Sequence, residues 1–339
     1  MRDVEATPWN GYNVVSTFSG CGGSCLGYRM AGYRVKYALE FIEEAQRTYK
    51  ANHPTSYLDC RDVRTVKPEE ILEIIGMKAG EIDLFDGSPP CSAFSTAGSR
   101  EGGWGKVKQY SDKKQRVDDL FFEYIRLLKG LQPKVFVAEN VSGLIKGSAK
   151  GYFLEILAAM KACGYEVSCR LLDAQWLGVP QMRQRTIFVG VRNDLKIAPC
   201  HPTPFTHRFS LADALKLAKG YPIDPDCDIS RFAIGALWDT IKEGEAHEKR
   251  FSFVKPFLNK PCNTVVATCG NTSAGSIVHP YEKRKFSVTE LKAICSFPLD
   301  FILTGDYPRK VERLGRSVPP LMMKAISETI LKNILEKTL

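Results

Sequence analysis

The chain has 339 residues, 44% hydrophobic and 25% charged, with 47 Lys and Arg against 38 Asp and Glu, a surplus of +9. That balance excludes a disordered or collagen-like polymer and gives enough chain for one large domain or two modest ones. No stretch nears the ~20 apolar residues of a membrane-spanning helix and Met1 to Trp9 has no apolar signal core, so a soluble cytoplasmic protein is expected.

Over the first 190 residues, short β-branched runs alternate with helical patterns. Tyr12–Thr17, Val35–Glu40, Ile82–Asp86, Val135–Glu139, Val167–Leu172 and Thr186–Val191 read as strands. Most are apolar on both faces, as buried parallel strands are. Ser24–Ala31, Ile42–Lys50, Pro68–Met77, Asp118–Leu131 and Tyr152–Ala162 carry helical periodicity. The expected fold is α/β, a doubly wound Rossmann-like sheet. Past Arg192 the alternation stops in a second, smaller and less regular lobe. It has weak helical patterns at Leu211–Ala218 and Ala233–Lys242 before periodicity returns at Thr289–Cys295 and Pro320–Leu335.

The first strand runs into Phe18-Ser19-Gly20-Cys21-Gly22-Gly23 at a helix start. Such a turn admits a ligand close to the backbone. Glu40, ending the second strand, suits ribose hydroxyls. Neither GxGxxG nor GxxxxGK[ST] occurs, which favours a nucleoside ligand without a pyrophosphate; alone, the turn also fits an ordinary α/β protein. The strand ending at Asp86 leads into Gly87-Ser88-Pro89-Pro90-Cys91. A cysteine at a strand's carboxyl end, behind two prolines, is placed as a nucleophile through its thiolate. Ser92 to Val117 is rich in Gly and Ser, with six Lys and Arg against two acids, and reads as a long structureless loop acting as a lid, or as a solvated basic loop. Glu139 ends a strand in Glu139-Asn140-Val141, where it serves a ring nitrogen or merely caps a helix. Arg183 and Arg185, two apart, face one side of an extended segment; they clamp an anion or form a charged edge.

Eleven cysteines without a CxxC, and one Cys200-His201 pair without a partner at finger spacing, give no metal site. Reduced, mostly buried thiols are expected.

Taken in order, these segments resemble the DNA cytosine-5 methyltransferase family. The likeness runs from FSGCGG with Glu40, through SPPCSAFS at 88–95, ENV at 139–141 and QMRQR at 181–185. It continues with Arg284 to Glu290 through Ser296-Phe297-Pro298, and ends at Gly315-Arg316-Ser317-Val318-Pro319-Pro320. The resemblance implies that S-adenosylmethionine is the cofactor and S-adenosylhomocysteine the product, with no metal. Cys91 is then the nucleophile on carbon 6 of a flipped cytosine. Glu139 assists at N3 and the amine, Arg185 binds the O2 carbonyl, and Arg183 orients the site or holds phosphate. Phe18, Ser19, Gly20, Gly23, Glu40, Phe41, Asp62, Val63, Pro90 and Leu120 form the cofactor pocket, completed by Ser317 and Val318, so the last helix should dock on the first strands. It further implies residues 1–192 as catalytic domain, 193–282 as target-recognition domain and 283–339 as a segment completing the catalytic domain. The implied substrate is double-stranded DNA, bound by a monomer in the nucleoid, with no membrane and with room for a separate cognate restriction endonuclease. Where the family has Gly-Asn this chain has Gly315-Arg316, whose guanidinium lacks the amide's acceptor. A tRNA cytosine-5 methyltransferase of the same fold, or an inactive DNA-binding homologue, shares most of these features. A nicotinamide-dependent dehydrogenase would leave Cys91, Glu139 and Arg185 without a role.

Overall fold

The computed structural model describes residues 1–90, 119–145, 150–271 and 276–338, and the backbone alone of 108–110 and 113–115. Two compact units emerge, one of residues 2–172, 184–203 and 323–339, the other of residues 173–183 and 204–322 with Met1.

In chain order the first unit carries α1 (Arg2–Glu5), β1 (Asn13–Thr17), α2 (Gly23–Met30), β2 (Arg34–Leu39), α3 (Glu43–Asn52), β3 (Tyr57–Asp59), α4 (Pro68–Ile75) and β4 (Leu84–Gly87). After β5 (Lys108–Tyr110) and β6 (Lys113–Gln115) come α5 (Leu120–Leu131), β7 (Val135–Val141), α6 (Lys150–Ala162), β8 (Tyr165–Asp173) and β9 (Gln184–Arg192). Seven of the strands form one sheet in the order β3-β2-β1-β4-β7-β9-β8. The β3-β2-β1-β4-β7 pairings are parallel, and β9 runs antiparallel to β7 from Val135↔Val191 to Val141↔Arg185. This is the α/β fold expected from the alternation.

Burial explains why these runs are strands. All four residues of β4, and the first six of β7, are buried, and β-branched and aromatic side chains suit a sheet interior. The apolar stripe of α5 (Leu120, Phe121, Tyr124, Leu127, Leu128, Leu131) shares a core with Phe85, Phe136 and Phe188. Phe85 and Tyr124 stack with centroids 4.6 Å apart, and each such side chain contributes about 1.5–3 kcal/mol by leaving water. Strand order reverses between β1 and β4, so the crevice beyond their carboxyl ends is where an open α/β sheet takes its ligand.

The expected helix Leu211–Ala218 is found with those bounds as α7, opened by Ser210 and Asp213 in a reciprocal cap. The second unit adds α8 (Ala233–Trp238), a hairpin of β10 (Ala246–His247) with β11 (Arg250–Val254), α9 (Val288–Ile294) and α10 (Tyr307–Arg316). The last helix, α11 (Pro320–Asn333), starts in this unit and continues into the first. There the Tyr33 hydroxyl donates to the Ser327 carbonyl at 2.9 Å, seating the C-terminal helix beside the chain that enters β2. Residues 283–322 group with the irregular unit and 323–339 with the sheet. The stretch read as structureless after Cys91 contains a pairing of β5 with β6, its three-residue strands being too short for periodicity to register.

Candidate functional site

At the end of β1 the backbone leaves the sheet through left-handed residues, Phe18 at φ 54°, Gly20 at 56° and Gly22 at 92°. Ser19 N–H donates to the Leu39 carbonyl and Gly22 N–H to the Ser19 carbonyl, folding the turn back on the end of β2. Glu40 secures it from there. Its Oε2 accepts from Gly20 N and its Oε1 from Ile42 N, both at 2.7 Å. The two glycines differ in kind. A Cβ at Gly22 would stand 2.2 Å from His53 Nε2, whereas at Gly20 it would meet nothing within 4 Å. Gly22 is thus propped from beneath, and Gly20 borders open space. Burial and the Arg29 guanidinium push His53 down to about 3, so the prop is a neutral ring.

The remaining expected pocket residues of this unit take these positions. Val63 and Leu120 are buried, and Phe41 and Pro90 partly exposed. Asp62 caps a short turn by accepting from Arg64 N, and Arg64 also bridges Asp62 at 3.1 Å and Asp119 at 2.7 Å. Gly23 opens α2. An open backbone turn beside a carboxylate-bearing strand end is the donor set that a nucleoside with free ribose hydroxyls requires, so these residues fit the implied cofactor.

Glu139 and Arg185 come together across β7 and β9. Register pairs Glu139 with Ile187, and Arg185, two residues along, is its diagonal neighbour on the same face. Arg185 Nε lies 2.7 Å from Glu139 Oε1 and Nη1 donates to the Gln184 carbonyl. Burial pulls the Arg185 guanidinium below its ordinary value, with Glu139 opposing. Among the described residues these contacts use two of its five N–H donors. Neighbouring Asn140 does work that the sequence reading missed. Its Nδ2 donates to the Pro89 carbonyl at 3.0 Å while its Oδ1 accepts from Val141 N. The Glu-Asn-Val triplet therefore holds both an ion pair and the chain entering Cys91. Cys91 itself, with the basic stretch to residue 107, lies outside the described residues. Of the ten described cysteines six are buried, and burial pushes the Cys25, Cys169 and Cys295 thiols up to about 12, which leaves them unreactive.

Arg183 and Arg185 part company. Arg183, 2% exposed, donates to the carbonyls of Val265, Gly315 and Ser317 at 2.8–3.0 Å, all in the second unit. These three contacts are with the protein's own backbone. Ser317 closes α10, its Oγ on the Leu314 carbonyl; Val318 is buried. Arg316 pairs with Glu312 one helical turn back, at 2.8 Å. Arg284 forks onto both oxygens of Glu290, which also caps α9, and Thr264 Oγ1 donates to the Met182 carbonyl.

Among the described residues no helix is long and apolar enough to cross a membrane. The family model for C-5 cytosine-specific DNA methylases matches residues 12–332. The chain is similar to Type II methyltransferase M.NgoPII of Neisseria gonorrhoeae, with 38% identity over 201 residues. That match covers 58% of this chain and spans about half (53%) of the gonococcal protein. Type II methyltransferase M1.HphI of Haemophilus parahaemolyticus is 29% identical over 338 residues, covering 94% of this chain and 86% of that one. Among solved structures, a candidate DNA modification methyltransferase encoded within an Escherichia coli prophage superimposes with a TM-score of 0.77 at 22% identity, over 96% of this chain and 100% of that one. A DNMT2 of Spodoptera frugiperda gives 0.69 at 18%, with coverage of 96% and 100%. At these identities the structures speak for the fold.

Proposed function

From the fact that this chain belongs to the C-5 cytosine-specific DNA methylases, we propose that it methylates cytosine in a specific duplex DNA sequence, with Cys91 as nucleophile and with Glu139 and Arg185 gripping the base. The observation that carries the reading is the Glu139–Arg185 pair, held beside an asparagine that tethers the approach to Cys91.

S-adenosylmethionine, when bound, supplies an electrophilic methyl group. For this cofactor the chain offers the turn Phe18, Ser19, Gly20 and Gly23, Glu40 with Phe41 at the end of β2, Asp62 and Val63, and Leu120. Pro90, Ser317 and Val318 join the set by resemblance. Carbon 5 of cytosine is a weak nucleophile until a thiolate adds at carbon 6; Cys91 forms that bond, and loss of the carbon 5 proton to a base later expels the thiolate from carbon 6 and frees the enzyme. Glu139 holds the proton at N3 and accepts from the exocyclic amine, while Arg185 donates to O2, so the ring's electrons are drawn toward groups already fixed to each other. Arg183 orients the segment carrying Ser317. The base must leave the helix for this chemistry, and the basic segment from Ser92 to Val117 closes over it and grips phosphates. Residues 193–282 read the sequence, and 283–339 complete the catalytic domain. The enzyme acts as a monomer in the cytoplasm, on the nucleoid, beside any cognate endonuclease.

Bisulfite sequencing of DNA from cells expressing the chain tests this directly. Methylcytosine in one sequence context is expected, falling by about three orders of magnitude or more with Cys91→Ser. Methylation of tRNA without methylation of DNA would reverse the substrate assignment. A chain silent on both is an inactive homologue.

A further inference from the structure

Beneath the glycine turn lies a buried polar chain of which the roles above use Ser19 alone. Asp86, near the end of β4, is 1% exposed; Ser16, Tyr28 and Ser19 are 0%, 0% and 7% exposed. Ser16 Oγ lies 2.9 Å from Asp86 Oδ2, and the Tyr28 hydroxyl 3.1 Å from Oδ1. Ser19 Oγ lies 3.1 Å from Ser16 Oγ and 3.3 Å from the Ser16 carbonyl. Thr17 Oγ1 donates to the Asp86 carbonyl. Five residues after Asp86 comes Cys91, and one after Ser19 comes Gly20, which borders open space. One hydroxyl relay therefore runs from the strand of the nucleophile to the turn of the cofactor.

The relay has two directions. An ionised carboxylate only accepts, so Tyr28 and Ser16 donate to Asp86, and Ser19 donates to Ser16. When Asp86 carries its proton on Oδ2, it donates to Ser16 Oγ and Ser16 donates to Ser19 Oγ, so the Ser19 hydrogen leaves Ser16 Oγ and turns to the Ser16 carbonyl or outward into the turn. We propose that Asp86 is a positioning residue that sets, through Ser16, which way the Ser19 hydroxyl points, and so couples proton uptake at the base of the nucleophile's strand to cofactor affinity. The inference rests on the cofactor assignment proposed above.

The groups facing Asp86 leave it as the titrating member. Tyr28 and Cys25 on α2 and Tyr124 on α5 are all raised by burial and by Asp86 itself, Cys25 to about 12, and stay neutral. Glu139 on β7 adds like charge. Burial, opposed by the Ser16 and Tyr28 hydroxyls and aided by Glu139, carries Asp86 up to about 7.

Calorimetric titration of the full chain with S-adenosylhomocysteine at pH 6 and pH 8 is the test. The ionised state is the competent one, so affinity at pH 6 is about tenfold weaker than at pH 8, following the ionised fraction. Asp86→Asn and Ser19→Ala should each flatten that dependence while retaining wild-type circular dichroism. The unliganded wild type should gain the infrared band of a buried protonated carboxyl between pH 8 and pH 6, and Asp86→Asn should not. A wild-type affinity that is flat or rises toward acid overturns the relay. So does a tenfold dependence surviving in Ser19→Ala, or a missing carboxyl band. A wild type that binds no S-adenosylhomocysteine at either pH instead sinks the methyltransferase reading beneath it.

Discussion

Gly20 and Gly22 share a left-handed backbone yet should fail differently when a methyl group is added. At Gly22 the Cβ meets His53, so Gly22→Ala is expected to lower stability by about 2–3 kcal/mol through strain and overpacking, read as a reduced midpoint in urea. At Gly20 only the backbone term of about 1 kcal/mol applies, and the larger loss should fall on cofactor binding. Arg183 makes a third case. Removing its guanidinium strands three carbonyls, two of them in buried bonds, and Arg183→Leu should cost roughly 3–5 kcal/mol, which Lys cannot restore because it lacks the fork. Thermal denaturation would register it before any activity assay. Two buried titrating groups set opposite slopes of stability with pH. Asp86, raised to about 7, binds a proton more tightly folded than unfolded, so its stabilisation is complete below about pH 4 and lost as pH rises through 7. His53, lowered to about 3, contributes above about pH 6.5 and loses that contribution as pH falls toward 3. From about pH 4 to 6.5 these two slopes oppose each other, and His201, pushed down to about 4 by burial, adds a second rising one. Asp86→Asn should remove the falling slope, so that its melting temperature climbs more steeply with pH across that window than the wild type's.

Strand ends, rather than strands, hold the residues of the proposed chemistry, and this governs how much of the protein was legible from its residues. β7 was plain from its buried run, and Glu139 from its place at the end of it. The partnership of Glu139 with Arg185 was not, because it depends on an antiparallel register that no local pattern encodes. Asn140 was in view as a letter of a motif, but its hold on Pro89 joins residues 51 apart. Asn140→Ala is expected to reduce kcat by about 10- to 100-fold, with little change in KM for the cofactor, since it loosens the nucleophile's approach alone; single-turnover kinetics would separate the two. Reading Arg183 and Arg185 as sharing one side of a strand missed that β9 begins between them, at Gln184. α10 was missed although its signals are in the sequence. Asp306 caps it, Pro308 sits in its first turn, and Tyr307, Val311 and Leu314 repeat at helical spacing on its buried face. Its dense charge hid the stripe. β3 and β5 are three residues each, too short for alternation to stand out.

Charge and connectivity belong to the whole molecule. Residues 196–280 hold ten Lys and Arg against eight acids, while the stretch after Cys91 and the stretch from Tyr281 each carry a surplus of four. Neutralising Lys106, Lys108, Lys113 and Lys114 to Ala should lower the slope of log K against log salt by up to about 0.9 per lost phosphate contact. The preferred sequence should stay unchanged, because phosphate contacts position and base contacts specify; filter binding over a salt series would measure both. The bond from Tyr33 to the Ser327 carbonyl spans 294 residues and has a consequence in time. A ribosome adding about 5–20 residues per second delivers Tyr33 early and its acceptor only some 15–60 s later. Through that interval the segment joining β1 to β2 lacks the acceptor that the C-terminal helix brings to Tyr33, and translation speed and chaperone supply, rather than native-state stability, should set the yield of folded enzyme.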